Sequence, residues 1–519
     1  MATPGATTTA PTDAAAARRP RSRWLRAVAA LLCGALPALA FPAPSLWWTA
    51  YVSLVPWLLL LRTAPTNRRA ALEGWLGGIG FMVAVHHWLL PSLHVFLVVL
   101  AALLGALWAP WGPLVRTLLG GSPRPRRCLA ALALVPSGWL MVEVVRSWEQ
   151  LGGPWGLLGA GQWQVPPALR LASLGGIWLV SLLIVWVNTA LAQLISLRRA
   201  RPVAVAALLV CALTVTAVRY AAPVPRPGGT ARIAIVQPGA DGGPGARLAR
   251  SEALTRQLAG RGVRLVVWGE SSLTRDPADD PGLAGRLAAL SRSTGADLLV
   301  GVDAPRAGRP GVYKTAVLVG PGGPTGDRYA KMRLVPFGEA IPARPLLGWA
   351  THVGKAAATD RMRGTHQVVM PVPAAHGLRI GPLVCFETAF PDMSRSLAAD
   401  GARMLVAQSS TSSFQDSWAP AQHASLGALR AAETWRPMVH ATLTGVSAVY
   451  GPRGEPVGER LSTDRSAAAV YDVPLAYGTS PYTRLGDWPV YAAVAALLVA
   501  GAPVAARRVR LRWSARARR

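Results

Sequence analysis

One thiol stands after residue 211: Cys385, which closes an apolar run in "GPLVCFETAF", residues 381–390. A thiol has a reference pKa near about 8.5 and becomes an effective nucleophile at neutral pH only beside a base or a positive charge. Two other apolar runs end on charge: "VRLVVWGESS" delivers Glu270 and "DRYAKMRLVPFGEAIP" delivers Lys331. A carboxylate beside a thiol can act as general base, particularly when partial burial raises its pKa. A lysine ammonium can stabilise the oxyanion of a tetrahedral intermediate. Taken singly, a cysteine after an apolar strand is more often inert core, and each charge more often a solvated strand end. Glu, Lys and Cys in that chain order, each ending a strand, instead supply the parts of nucleophilic carbonyl chemistry. Metal and phosphate chemistry have no comparable support. His86 and His87 are adjacent and so point to different faces of a helix, and no H-x-x-x-H or C-x-x-C spacing occurs. The glycines of "GADGGPGAR" lack a P-loop lysine and read as a linker. No metal and no cofactor are expected.

The elements that must position these residues follow from periodicity. "ARIAIVQPG", "VRLVVWGESS", "ADLLVGVD", "YKTAVLVGP", "RIGPLVCFET" and "RMLVAQSS" read as buried strands, and 244–261, 281–294, 392–400 and 419–434 as helices. Strands alternating with helices indicate a layered α/β domain over 231–480. Within it, "YGPRGEPVG", residues 450–458, carries a hairpin signal.

The rest of the chain is of a different kind. Of 519 residues, 51% are hydrophobic, yet Lys and Arg number 54 against 25 acids, and the mean hydropathy is +0.31. The arginines cluster between long apolar stretches, which argues for membrane topology and against nucleic-acid binding. Eight apolar segments approach the roughly 20 residues that a spanning helix needs: about 23–41, 46–61, 70–89, 93–115, 128–145, 171–196, 202–218 and 487–506. Seven fall in 23–219 and one follows the α/β domain. Arg18 to Arg26 precede the first; Arg62, Arg68 and Arg69 follow the second; Arg116, Arg124, Arg126 and Arg127 follow the fourth; Arg198, Arg199 and Arg201 follow the sixth. Positive charge therefore marks every second connection, which places both termini in the cytoplasm and the α/β domain on the extracytoplasmic face. Residues 1–22 read as a disordered, basic cytoplasmic tail, and 507–519 as a second basic tail. Cleavage of 18–40 as a signal peptide is the alternative to a first spanning helix and leaves the downstream topology unchanged.

The Glu, Lys, Cys order resembles the carbon-nitrogen hydrolase (nitrilase) superfamily, which implies an α-β-β-α sandwich. With membrane segments before and after that domain, the chain from 23 to 506 resembles the apolipoprotein N-acyltransferase family. The resemblance implies Glu270 as general base, Lys331 as oxyanion-stabilising lysine and Cys385 as nucleophile. It adds Glu339 in "KMRLVPFGEAIP" and Glu387 in "CFETAFP" as supporting active-site acids. "AQHASLGALRAAETWRP" is similar to the helix that follows the site in the family, and His423, Arg430, Glu433 and Arg436 are expected to have structural roles. "EVVRSW" and "GPWG" resemble the segment before the sixth helix and contribute Glu143, Arg146, Pro154 and Trp155; Glu143 and Arg146 at i and i+3 can also pair for stability alone. Two motifs depart from the family pattern. Trp268-Gly269-Glu270 stands where W-P-E is usual, and "SSTSSF" follows "RMLVAQ" in place of N-D-x-W-F.

The implied reaction is ping-pong acyl transfer through a Cys385 thioester, from a membrane phospholipid donor to the α-amine of a diacylglyceryl apolipoprotein, with no nucleic-acid partner. The alternatives are a membrane-tethered amidase of the nitrilase type and a non-catalytic scaffold for a membrane glycosyltransferase. Leu346, Leu347 and Trp349 in "IPARPLLGWATHVG" are a candidate lipid gate, with core packing as the other reading.

Overall fold

The computed structural model describes residues 14–239, 242–352 and 359–516. Residues 1–13 of the expected tail, and 240–241 of the expected linker, lie outside the described residues. From Ala14 the chain is already helical, inside the segment expected to be disordered: alanine and arginine are strong helix formers, and the helix runs on through Pro20 into the first apolar segment.

The membrane part comprises α1 (Ala14–Ala35), α2 (Val55–Arg62), α3 (Asn67–His86), α4 (Leu90–Leu93), α5 (Phe96–Gly105), α6 (Trp111–Leu119), α7 (Pro125–Arg146), α8 (Pro166–Ser196) and α9 (Arg201–Ala221). Six helical stretches among the described residues are long and apolar enough to cross a membrane: Arg23–Ala40, Asn67–Leu93, Phe96–Leu119, Pro125–Arg146, Pro166–Ser196 and Arg198–Ala221. The second expected span, 46–61, is instead broken into a 3-10 turn, Trp47–Tyr51, and the eight-residue α2. Pro56 has no N–H to continue a helix from the preceding turn. The fully buried Asn188 of α8 seals the break, accepting from Leu54 N at 2.9 Å and donating to Ala50 O at 2.8 Å. Backbone groups freed inside an apolar bundle are thereby satisfied by a side chain. The last expected span is the helix Trp488–Arg516, whose apolar stretch in the described residues is Trp488–Ala502.

The basic loops meet at one end of this bundle. Arg26 and Arg69 both pair with the buried Glu73 at 2.7 Å, Arg26 reaches Leu60 O at 2.7 Å, and Arg116 reaches Ala64 O at 2.7 Å. Gln193, near the end of α8, donates to Cys128 O at 3.0 Å, beside Arg124, Arg126 and Arg127.

The α/β part has eleven strands among the described residues: β1 (Arg226–Gln237), β2 (Leu265–Trp268), β3 (Asp297–Arg306), β4 (Arg309–Gly320), β5 (Gly323–Ala330), β6 (Met370–Val372), β7 (Leu378–Val384), β8 (Met404–Ser409), β9 (Met438–Thr442), β10 (Ala448–Tyr450) and β11 (Ala467–Tyr477). They form two sheets, ordered β11-β1-β2-β3-β4-β5 and β10-β9-β8-β7-β6. In the first, β1, β2 and β3 are parallel; in the second, β7, β8 and β9 are. The continuous apolar runs are those buried on both faces, as parallel strands covered by a second sheet and by helices must be. Helices α10 (Pro244–Arg256) and α11 (Pro281–Thr294) cover one sheet; the four-residue α12 (Arg344–Leu347) lies between β5 and β6; and α13 (Pro391–Ala399) and α14 (Ala419–Thr434) cover the other sheet. This is the α-β-β-α sandwich. The buried Gln408 ties the two sheets together, donating to Trp268 O at 2.7 Å and Leu299 O at 3.1 Å. Outside the sandwich, α14 packs on α8, so one helical layer faces the membrane part.

Candidate active site

Parallel strands of both sheets deliver their C-terminal ends to one edge, and the chemistry-bearing residues gather there. Glu270 follows β2. Its turn is stitched to the second sheet: Glu270 N donates to Ser409 O at 3.2 Å, and Leu443 N donates to the same oxygen at 2.9 Å. This approach explains the glycine of Trp268-Gly269-Glu270, because a Cβ at Gly269 would lie 1.9 Å from Leu443 N. Cys385 follows β7 with φ 52, a left-handed conformation that costs a non-glycine residue energy and turns the thiol out of the strand. Lys331 follows β5, its backbone N–H donating to Lys314 O at 2.8 Å.

The side chains converge. Lys331 Nζ donates to Glu270 Oε1 at 3.2 Å and to Glu339 Oε1 at 2.7 Å. A second lysine, Lys314 of β4, lies 2.8 Å from Glu270 Oε1 and 3.0 Å from Glu339 Oε1. The charges of Glu270 and Lys331 both act on the Cys385 thiol, which donates to Ser410 O at 4.0 Å. Lys331 is fully buried and Glu270 nearly so.

These contacts set the protonation states. Burial pushes Glu270 up, but Lys314 and then Lys331 outweigh it and hold the carboxyl at about 2. Burial, and then the charge of Glu270, push the Cys385 thiol up to about 12. Burial opposes the Lys331 ammonium, yet Glu270 and Glu339 raise it well above the usual lysine value. The resting site thus holds two carboxylates, two ammoniums and a neutral thiol. A free thiolate is not its resting species, so an attack by this thiol needs a proton acceptor, and the Glu270 carboxylate is the base the arrangement offers.

Glu387 does different work from Glu339. One of its oxygens accepts from Tyr329 Oη at 2.7 Å, Met332 N at 2.7 Å and Arg333 N at 3.1 Å. The other accepts from Val384 N at 2.8 Å. It braces the turn carrying Cys385 against the segment carrying Lys331. His423 supports the same turn, its Nε2 donating to Cys385 O at 3.0 Å; burial lowers its pKa to about 4, which keeps the ring neutral. Arg430 binds Ala389 O at 2.8 Å and pairs with Glu433 at 2.8 Å. Arg436 binds Ala402 O at 2.6 Å. Glu143 and Arg146 do not hydrogen-bond each other: Glu143 accepts from Leu158 N at 2.8 Å, and Arg146 donates to Gly156 O at 3.0 Å. Both fix the loop that carries Trp155, whose indole donates to Gln422 Oε1 at 2.8 Å. Phe414, Trp88, Trp155 and His423 form a chain of ring contacts from the serine-rich loop to the turn that carries Cys385.

Sequence reasoning missed Lys314. Its signal was a lone charge in "VYKTAVLVG", which alternates with Tyr313 and Thr315 and pairs in register with Asp303 of β3. It also missed Tyr329 and the carbonyl of Ser410. Leu346 and Trp349 are exposed, 77% and 51%, so they are not packed in a core, and the Trp349 ring lies 5.6 Å from Phe96 of the membrane part.

Comparison with known proteins agrees with this two-part build. Residues 33–190 match the family model of the apolipoprotein N-acyltransferase N-terminal domain, and residues 232–480 match that of carbon-nitrogen hydrolase. An apolipoprotein N-acyltransferase of Azotobacter vinelandii is 32% identical over 92% of this chain and 95% of that protein. One of Geobacter metallireducens is 31% identical over 93% and 95%. Among solved structures, an amidase of the nitrilase superfamily from Nesterenkonia AN1 is similar with a TM-score of 0.37 and 21% identity, covering 52% of this chain and 98% of that one. The chain belongs to the apolipoprotein N-acyltransferase family.

Proposed function

We propose that this protein transfers a fatty acyl group from a membrane phospholipid, through a thioester on Cys385, to the N-terminal amine of a diacylglyceryl-cysteine apolipoprotein. Cys385 attacks the ester carbonyl while its proton passes to Glu270, and Lys331 steadies the oxyanion. Collapse expels the lysophospholipid alkoxide, which takes the proton back from Glu270. The acceptor amine then attacks the thioester, gives its proton to Glu270 and leaves as the amide, and Cys385 recovers the thiol proton. Glu339 holds Lys331 throughout, and Glu387 holds the turn. The observation that carries this reading is the meeting of thiol, carboxylate and ammonium at one sheet edge whose flank includes Trp155 from the membrane part. A buried site of this kind keeps water from the thioester. The catalytic domain belongs on the extracytoplasmic face of the cytoplasmic membrane, a reading supported by the basic loops gathered at the opposite end of the bundle.

The test is stepwise mass spectrometry. Incubating the full chain with phospholipid should add one acyl mass, located on Cys385 and absent from Cys385→Ala. A diacylglyceryl lipopeptide should then discharge it and appear as the N-acyl amide. Release of ammonia from small amides with no acyl adduct would establish the amidase alternative. Normal function in cells carrying only Cys385→Ala would point to a scaffold.

A further inference from the structure

The reaction derived above uses one lysine, yet the site contains two. Lys314 and Lys331 both contact Oε1 of Glu270 and Oε1 of Glu339, at 2.8 and 3.0 Å for Lys314 and 3.2 and 2.7 Å for Lys331. Carboxylates and ammoniums therefore alternate around a closed ring. Lys314 reaches it from β4, where it pairs across the sheet with Asp303, whose carboxylate is 4.0 Å from its ammonium and is itself held by Arg361 at 3.0 Å. Its carbonyl accepts the backbone N–H of Lys331. The Lys331 side chain is wholly enclosed, whereas that of Lys314 keeps 15% exposure.

We propose that Lys314 is a positioning residue of the transfer: a second ammonium that fixes the Glu270 carboxylate toward Cys385 and, by making the ring neutral, keeps Glu270 ionised and ready to accept the thiol proton. The groups facing Glu270 are Lys314 from β4, Lys331 after β5, Glu339 from the following loop, Cys385 after β7 and His423 from α14. Asp303 and Arg361 act on it through Lys314. Among the described residues only the two lysines carry positive charge at neutral pH in direct contact, so removing one leaves a single ammonium for two carboxylates. Glu270 then binds its proton at higher pH, and the base is disabled as the medium becomes acidic. The direction follows from the charge alone: losing a neighbouring cation raises a carboxyl pKa.

The inference rests on Glu270 being the general base, and the test separates the two. Acyl transfer by the full chain would be followed in mixed micelles of dioleoyl phosphatidylethanolamine with a synthetic diacylglyceryl-cysteine peptide, at pH values from about 2 to 9 so that the limb set by Glu270 is covered. For Lys314→Gln, which keeps a hydrogen-bond donor but no charge, kcat should fall about tenfold or more. Its acid limb should move upward by at least about one pH unit, with KM for the peptide within about twofold of the parent. Lys314→Arg should keep the parent's acid limb. An unshifted limb with Lys314→Gln, a shift of equal size with Lys314→Arg, or failure of the neutral variant to give a folded protein with a cooperative melt would each overturn the proposal, the last by assigning the charge to folding. Full activity in Glu270→Gln would instead overturn the general-base reading, whatever Lys314 does.

Discussion

At the scale of residues, the site is governed by unequal sharing of charge. Glu270 is held at about 2 and Cys385 at about 12 because the two lysines favour the carboxylate, while burial and that same carboxylate disfavour the thiolate. This arrangement protects the thiol from indiscriminate reaction and activates it only when a carbonyl can take up the developing charge. A counterintuitive outcome follows for Glu270→Gln. Removing the negative neighbour leaves Lys331 and Lys314 to act on the thiol, so its pKa falls and more thiolate is present at any pH below that value. Alkylation by iodoacetamide at about pH 8 should be several-fold faster than in the parent, while acyl transfer drops by about 10²–10⁴. Slower alkylation in the variant would contradict this account of the charges.

Among the elements, the segment after β5 has the most demands on it. It carries Lys331 and Glu339, is braced from the nucleophile turn by Glu387, and meets the membrane part where Leu334 N donates to Glu149 Oε1 at 3.0 Å. A cavity of about 490 Å³ opens beside it, lined by Glu149, Leu334, Ile341 and Arg363 among others. Beyond the cavity the chain presents Leu346 and Trp349 outward, near Phe96. Exposed side chains of this size beside membrane helices are suited to enter the bilayer, each gaining about 1.5–3 kcal/mol from burial. We therefore expect the combined change Leu346→Ser, Leu347→Ser and Trp349→Ser to reduce acylation from phospholipid vesicles at least tenfold and to leave attack on a short soluble ester within twofold. Equal loss on both substrates would remove the gate and return these residues to a packing role.

Over the whole molecule, the two parts are joined by polar contacts rather than by a flexible tether. Glu433 of α14 accepts from Ile177 N at 2.8 Å, at the interruption of α8 where Gly176 has φ 67. Arg395 of α13 pairs at 2.9 Å with Asp487, at the start of the last membrane segment. Trp155 reaches Gln422, and Arg363 pairs with Glu149 at 2.6 Å. The α/β domain thus sits on the end of the bundle remote from the arginine loops, which predicts opposite accessibilities. In a Cys385→Ala background, Ser466→Cys in the α/β domain should react with an impermeant maleimide on intact spheroplasts, and Ser122→Cys between α6 and α7 should react only after lysis. The reverse pattern would turn the catalytic domain to the cytosol and exclude apolipoproteins at the outer surface as acceptors.

Local composition is enough to specify the classes of element and the main charged and thiol-bearing residues. Continuous apolar runs ending on Glu270 and Cys385 marked buried parallel strands, because a strand covered on both faces must be apolar along its length. Alternating arginine-rich connections marked the loops that share one end of the bundle, because charge sits at helix ends whatever the packing. Contacts made between distant segments left no such trace. The break at Pro56 needed Asn188, 132 positions away in the chain by its number, to be stable. Strand β5, "GPTGDRYA", carries no apolar run because it is an edge strand, and β11 is identified by its antiparallel pairing with β1. Lys314 reads locally as an ordinary strand charge, and becomes part of the site only because β4 and the segment after β5 bring it against Glu270 and Glu339. Local composition dictates which residues must be buried or charged, whereas the fold alone decides which of those charges share an oxygen.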